Sequence, residues 1–333
     1  MYLIVFFIGF FLMIVIHELG HLVCGYLSGY RFVSFRFLVW VWVKNDAGKI
    51  KLTKSPGLKG MAGQCLMEPP DDEKDFRFVL YNLGGGLANI ITGALTLVGF
   101  FFTHTEPLRF ILYLLTILYV LSGILNLLPL VSGGIPLDGR NIAEASKSPD
   151  ARRGFYLMLK VNAEMSRGKH LADYDNTFFT VRESADVNNY FVTYMLQLRS
   201  AQLEELEDYQ NSYKLLLQPD LKKLPRYYGG QLMLSLIFHE LVYFGDEIFV
   251  QQAGNRLNEK KKDKVFQKLL TMKHPAFLPC QAAKAAFIDF DTDRARELIT
   301  QARELNSSQQ NHGQEHSVTC MLDKLEARLA NIE

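Results

Sequence analysis

The chain reads as a mainly α protein: a polytopic membrane core of three transmembrane helices with a membrane-associated β-hairpin, followed by an all-α C-terminal domain. Three observations lead there. Three apolar runs, each long enough for the roughly 20 residues that cross a bilayer, lie in the first 130 positions. An alternating stretch of aromatic and β-branched residues separates the first run from the second. After residue 145 the apolar positions fall at helical spacing among many charges. The averages, 21% charged residues and a net charge of +1 over 333 residues, hide this asymmetry. The expected division is a membrane-embedded core over 1–145 and a cytoplasmic helical domain over 146–333.

Taken in order, the first run extends from Tyr2 to Leu27, and its only side chains expected to ionise are His17, Glu18 and His21. A signal peptide is the competing reading. The run lacks a basic n-region, and Leu22-Val23-Cys24 lacks the small residues of a cleavage site. From Arg31 to Lys54 a two-residue alternation is apolar on both sides, broken by Asn45-Asp46-Ala47-Gly48. This predicts a β-hairpin, with Trp40 and Trp42 at a membrane interface. A charged linker from Glu68 to Arg77 precedes the second run, Phe78 to Phe102. A short loop holding Glu106, Pro107 and Arg109 leads to the third, Phe110 to Leu130.

Arg31 to Arg77 holds nine Lys or Arg, and Arg140, Lys147, Arg152 and Arg153 follow the third run, whereas Arg109 stands alone between runs two and three. The positive-inside rule then predicts a multi-pass protein of the cell membrane, with its N-terminus outside and its C-terminal domain cytoplasmic. In that domain Ala295, Leu298, Ile299, Ala302 and Leu305 mark a helix face, with Asp291 to Asp293 as capping candidates. Ala282, Ala283, Ala285 and Ala286 give the preceding helix a small-residue face. Leu232 to Phe238, followed closely by His239, Glu240 and Asp246, reads as a buried helix. Pairs of these helices resemble tetratricopeptide-type hairpins, without a clean repeat period.

Near-neutral charge argues against nucleic acid as the main partner, because phosphate binding needs clustered surplus cations. Cys24, Cys65, Cys280 and Cys320 form no CxxC pair, which excludes a cysteine zinc knot and a disulfide framework.

The chemistry is carried by His17-Glu18-Leu19-Gly20-His21, an HExxH motif. Residues four apart share a helix face, so both imidazoles can bind one ion, with Glu18 in reach of a water on it. A carboxylate within a span costs roughly 2.5–3.5 kcal/mol, which makes it a functional candidate. Zinc needs a third protein ligand and an open position. Among the other spans and their flanks Asp138 stands out, after Gly133, Gly134 and Pro136 have interrupted the third run. An Asp capping the next helix is the alternative reading.

HELGH in a first span, followed by Asn126-x-x-Pro129 and Leu137-Asp138-Gly139 near a later one, resembles the site-2 protease family of membrane zinc metalloproteases. The resemblance covers about residues 1–145. It implies that His17, His21 and Asp138 bind Zn2+ and that Glu18 is the general base. The family's Gly-x-x-x-Asn element is matched by Gly85-Gly86-Leu87-Ala88-Asn89, although many members have Pro at the position of Gly86. It implies a substrate-binding role for Gly85 and Gly86, and a role for Asn89 in positioning substrate or stabilising the oxyanion. The implied substrate is a transmembrane protein or a signal-peptide remnant within the lipid bilayer. A strand edge within 31–54 is expected to hold the unwound substrate.

Two further motifs resemble metal sites. His312-Gly313-Gln314-Glu315-His316 spells HxxEH but follows the polar stretch Asn306 to Asn311, with no apolar second shell. His239-Glu240 has no second histidine four residues on. Two other function classes compete with the enzyme: a catalytically inactive membrane adaptor that binds transmembrane helices, and a scaffold working through its cytoplasmic helices. The intact HExxH and Leu-Asp-Gly argue against the adaptor. The C-terminal helices are expected to bind a cytoplasmic protein or peptide.

Overall fold

The structure, a computed structural model, describes residues 2–44, 48–54, 63–307 and 312–331. The turn expected at Asn45-Asp46-Ala47 and the polar residues Ser308 to Asn311 lie outside them. The chain divides into two compact units, Met1–Ser132 with Pro136–Lys147, and Ser148–Glu333 with Gly133–Ile135.

In the first unit α1 (Tyr2–Leu27), α2 (Phe78–Phe102) and α3 (Glu106–Leu127) are long and apolar enough to cross a membrane. The third helix is displaced from the expected 110–130. Pro107 is accommodated in its first turn, so it begins at Glu106. Pro129 disfavours helix for the residue before it, and the helix ends at Leu127. Away from one another the three helices present apolar side chains, among them Ile4, Phe7, Ile91, Leu95, Phe101 and Leu121, all largely exposed.

Small residues and paired hydroxyls join the three helices. Thr96 and Thr116 share a 2.9 Å hydrogen bond between α2 and α3, and Tyr119 of α3 donates to the Gly9 carbonyl of α1 at 3.2 Å. Where α1 crosses α2, Gly20 and Gly84 meet backbone to backbone, and a Cβ on either would strike the other's carbonyl. Gly20→Val is therefore expected to destabilise the helix pair by roughly 3 kcal/mol, the upper end for overpacking. A denaturant titration of the solubilised protein measures this, and an unchanged midpoint would show that the helices do not meet there.

The region after α1 is a four-stranded antiparallel sheet rather than a lone hairpin. Its strands are β1 (Arg31–Phe37), β2 (Trp40–Lys44), β3 (Ile50–Lys54) and β4 (Gly63–Glu68), in the order β3-β2-β1-β4. The continuous alternation concealed a turn at Leu38-Val39, where Phe37 pairs with Trp40 and Leu38 takes φ +54°. Glycine is the usual residue at such a position, so no turn signal marks it. β4 pairs with β1 from Arg31–Glu68 to Phe37–Gly63, and its other edge is free of strand partners among the described residues.

Beyond α3 the chain forms the two-residue strands β5 (Val131–Ser132) and β6 (Ile135–Pro136) around Gly133 and Gly134, both at positive φ, and then α4 (Asp138–Ala145). Gly139 lies against the carbonyls of Leu127 and Leu128, where a Cβ would not fit. That contact sets the start of α4, and Asp138 with it, against the end of α3.

The second unit is helical. It comprises α5 (Pro149–Ser166), α6 (Tyr190–Glu205), α7 (Tyr209–Leu216), α8 (Arg226–Phe238) and α9 (Glu247–Glu259). Then follow α10 (Lys264–Leu270), α11 (Leu278–Phe287), α12 (Thr292–Ser307) and α13 (His312–Ala330). The helices run from 7 to 19 residues, so helix pairs do not recur at a fixed period. Asp291 caps α12 by accepting from the Arg294 N–H at 2.9 Å, and the alanine face of α11 is buried. Leu232 to Phe238 is the buried end of α8, which continues into π-helical turns over His239–Phe244.

Candidate metal centre

His17 and His21 lie one turn apart on α1, and α4 brings Asp138 to them from a point in the chain more than a hundred residues away. The two Nε2 atoms are 3.2 Å apart, and Asp138 Oδ2 lies 3.2 Å from the first and 3.3 Å from the second. Among the described residues this is the one group of three or more His, Cys, Asp or Glu donors whose ligand atoms converge.

The polar groups around that triangle suit a cation. His21 donates its Nδ1–H to the Tyr81 carbonyl at 2.9 Å, which leaves Nε2 as a bare lone pair. Asp138 Oδ2 is buried and lies within hydrogen-bonding distance of both Nε2 atoms. Three potential ligand atoms thus face one another at contact distance, an arrangement that a positive ion between them would stabilise. The spacing fits such an ion. Tetrahedral bonds of about 2.0–2.2 Å hold ligand atoms roughly 3.3–3.6 Å apart. The Tyr81 carbonyl acts as the outer partner that fixes the tautomer of a ligating histidine.

Glu18 is half-buried on the same turn of α1 and points toward β4. A Cβ on Gly63 would fall 2.7 Å from Glu18 Oε1, and the Cys65 backbone hydrogen-bonds the carboxylate. Glu18 is thus held beside the three donors and is not one of them. Burial pushes the Cys65 thiol up to about 12, so it is a neutral neighbour rather than a thiolate ligand.

The glycines of α2 divide. A Cβ on Gly85 would lie 2.6 Å from both Nε2 atoms, so the missing side chain leaves room for the donor triangle. Gly86, expected to share a substrate-binding role, instead faces α3, where a Cβ would press on Leu127 and the Gly123 carbonyl. Successive helical residues point about 100° apart, so Gly85 and Gly86 meet different neighbours. Asn89 is fully buried one turn beyond Gly85. Its Nδ2 reaches Ser122 Oγ at 3.4 Å and its Oδ1 has no partner.

Tyr81 was not singled out in the sequence. It donates from its hydroxyl to the Cys65 carbonyl at 2.8 Å and supplies its own carbonyl to His21, linking β4 to the ligand. Its one available signal is its place four residues before Gly85, on the same helix face.

The other two motifs assemble no site. His312 pairs with Glu315 at 3.2 Å on an exposed turn, while His316 stacks on His170 with centroids 3.9 Å apart. His239 and Glu240 are core residues. Ser212 Oγ and His239 Nε2 share a hydrogen bond at 2.8 Å, and Glu240 accepts from Tyr213 at 2.6 Å and from Arg256 at 2.7 Å. Compared with protein-family models, with curated proteins and with solved structures, the chain finds no match in any of the three.

Proposed function

We propose that the protein is an intramembrane zinc metalloprotease of the site-2 type, cutting peptide bonds in or next to the membrane spans of its substrates. The observation that carries this reading is the convergence of His17, His21 and Asp138 within 3.3 Å of one another, with both histidines on a membrane-length helix that also carries Glu18. A carboxylate and two imidazoles held on so apolar a helix set have no structural use that three alkyl groups would not serve better. The exposed apolar faces of α1, α2 and α3 support a bilayer as their surroundings, since water would not tolerate them. The basic flanks support an N-terminus outside and a cytoplasmic second unit.

His17, His21 and Asp138 would hold the zinc, leaving its fourth position open. Zinc, when bound, polarises the scissile carbonyl and brings the pKa of water to about 7. Glu18 takes the proton of the attacking water and returns it to the leaving amine. Asn89, buried with an unpartnered Oδ1, would position substrate or stabilise the oxyanion. A substrate helix must unwind before its carbonyls can be attacked. An edge of the sheet would hold that extended segment as an added strand: β3 lies at one edge, within the 31–54 expected from sequence, and β4 at the other, beside Glu18, both without a further strand partner among the described residues.

The test is cleavage by the purified full chain, reconstituted with a single-span substrate carrying helix-breaking residues in its span. Cutting within or beside the span, lost to a chelator and restored by zinc, is the expected result. A chain that binds the substrate span but leaves it whole with zinc present would favour the adaptor instead.

A further inference from the structure

Two short basic segments, nearly forty residues apart in the chain, meet at one corner of the second unit. The first contributes Lys222, Lys223 and Arg226. The second contributes Lys261, Lys262, Lys264 and Lys268. The first turns of α8 pack on α10, so closely that a Cβ on Gly230 would lie 2.6 Å from Leu269 Cδ1. Gly229 in turn lies against the Leu221 carbonyl, which brings the segment before α8 into the same corner. On α10, Lys264 and Lys268 stand one turn apart on one face.

All seven side chains are exposed, and none has an ion-pair partner among the described residues. The nearest acids in sequence are engaged with backbone. Asp220 accepts from the Lys222 N–H at 3.0 Å, and Asp263 caps α10 through the Val265 N–H at 3.0 Å. Elsewhere in this unit cations are matched: Arg182 with Asp150 at 2.8 Å, Lys169 with Glu164 at 3.0 Å, Arg256 with Glu240 at 2.7 Å and Lys324 with Glu207 at 2.8 Å. An unmatched cluster of like charges repels itself unless something anionic covers it.

The chain indicates what covers it. Gly134 belongs to the second unit, where its carbonyl accepts from the Tyr227 N–H at 3.2 Å and its α-carbon lies beside Arg226 and Val265. Gly134 also follows the end of α3 by only seven residues, a length of chain that reaches at most roughly 25 Å. Seven residues of chain therefore join the segment that packs at the basic corner to the end of a membrane-length helix.

We infer that this corner docks on the anionic headgroups of the bilayer that α3 crosses, holding the second unit against the membrane surface. The inference rests on the membrane reading proposed above. Each basic residue near an anionic leaflet strengthens binding by about fivefold, and the attraction fades beyond a Debye length of about 8 Å at physiological salt. The tether limits how far the corner can stray from the end of α3, and docking must then bring it within that length.

The test compares the full chain in nanodiscs of phosphatidylcholine alone with the chain in discs also containing phosphatidylglycerol. Amide hydrogen exchange is read over 221–226 and 260–268. Exchange there is expected to be at least about tenfold slower in the anionic discs. High salt should reverse the protection, and the K222E/K223E/K261E/K262E variant should abolish it with zinc content unchanged. Equal exchange in both discs would overturn the inference, as would protection conferred only by an added oligonucleotide or acidic peptide. A chain that enters neither disc would overturn the membrane reading as well, whereas entry without lipid-dependent protection overturns this inference alone.

Discussion

Glu18→Gln is expected to lower substrate cleavage by roughly 10²–10⁴-fold, the usual contribution of a positioned general base, while leaving the metal in place. The three converging donors are His17, His21 and Asp138, and Glu18 is not among them. Glutamine keeps the shape of the side chain and an oxygen that can accept from the Cys65 backbone, so the packing of α1 against β4 should survive. What it loses is the capacity to take a proton from water. Single-turnover cleavage of a reconstituted substrate, with metal analysis of the same preparation, separates these effects. Turnover near that of the unmodified chain would remove Glu18 from the role of base. Loss of metal together with turnover would make it a ligand.

The parts of the site legible in the sequence were those encoded by local periodicity. Uninterrupted apolar runs gave the limits of α1 and α2, because nothing between Tyr2 and Leu27, or between Phe78 and Phe102, favours leaving a helix. The four-residue spacing of His17 and His21 put both imidazoles on one face. Asp138 was singled out by its position after a helix-breaking stretch, and its Leu-Asp-Gly setting gave the resemblance. The glycine in that setting has a packing reason, since Gly139 lets the start of α4 abut the end of α3.

What the sequence did not reveal depends on contacts between distant segments. β4 is short, and Gly63-Gln64-Cys65-Leu66-Met67-Glu68 has no strong alternation of its own. It is a strand because β1 offers an edge. The Leu38-Val39 turn uses residues that ordinarily prolong a strand. The partner of His21 is a backbone carbonyl, and a carbonyl has no signature in a list of side chains. Gly85 and Gly86 look equivalent in the chain and part company only when α1 and α3 take opposite sides of α2.

The second large effect concerns Asp138. Removing its carboxylate leaves two imidazoles from a single helix, with no anion to offset the charge of a divalent cation and no third ligand to complete the set. Asp138→Ala is expected to weaken metal binding by more than the 10–100-fold that the loss of an outer-shell partner costs. His312→Ala and His316→Ala should leave it unaffected, because His312 is engaged with Glu315 and His316 with His170 on the second unit. The most direct measurement is the zinc content per chain of the purified protein, determined for the unmodified chain and for these three variants. The account predicts one zinc in the unmodified chain, one in each of the two C-terminal variants and none in Asp138→Ala. A chain purified without metal that also fails to take up zinc would contradict it. So would a zinc that survives Asp138→Ala and is lost with His316.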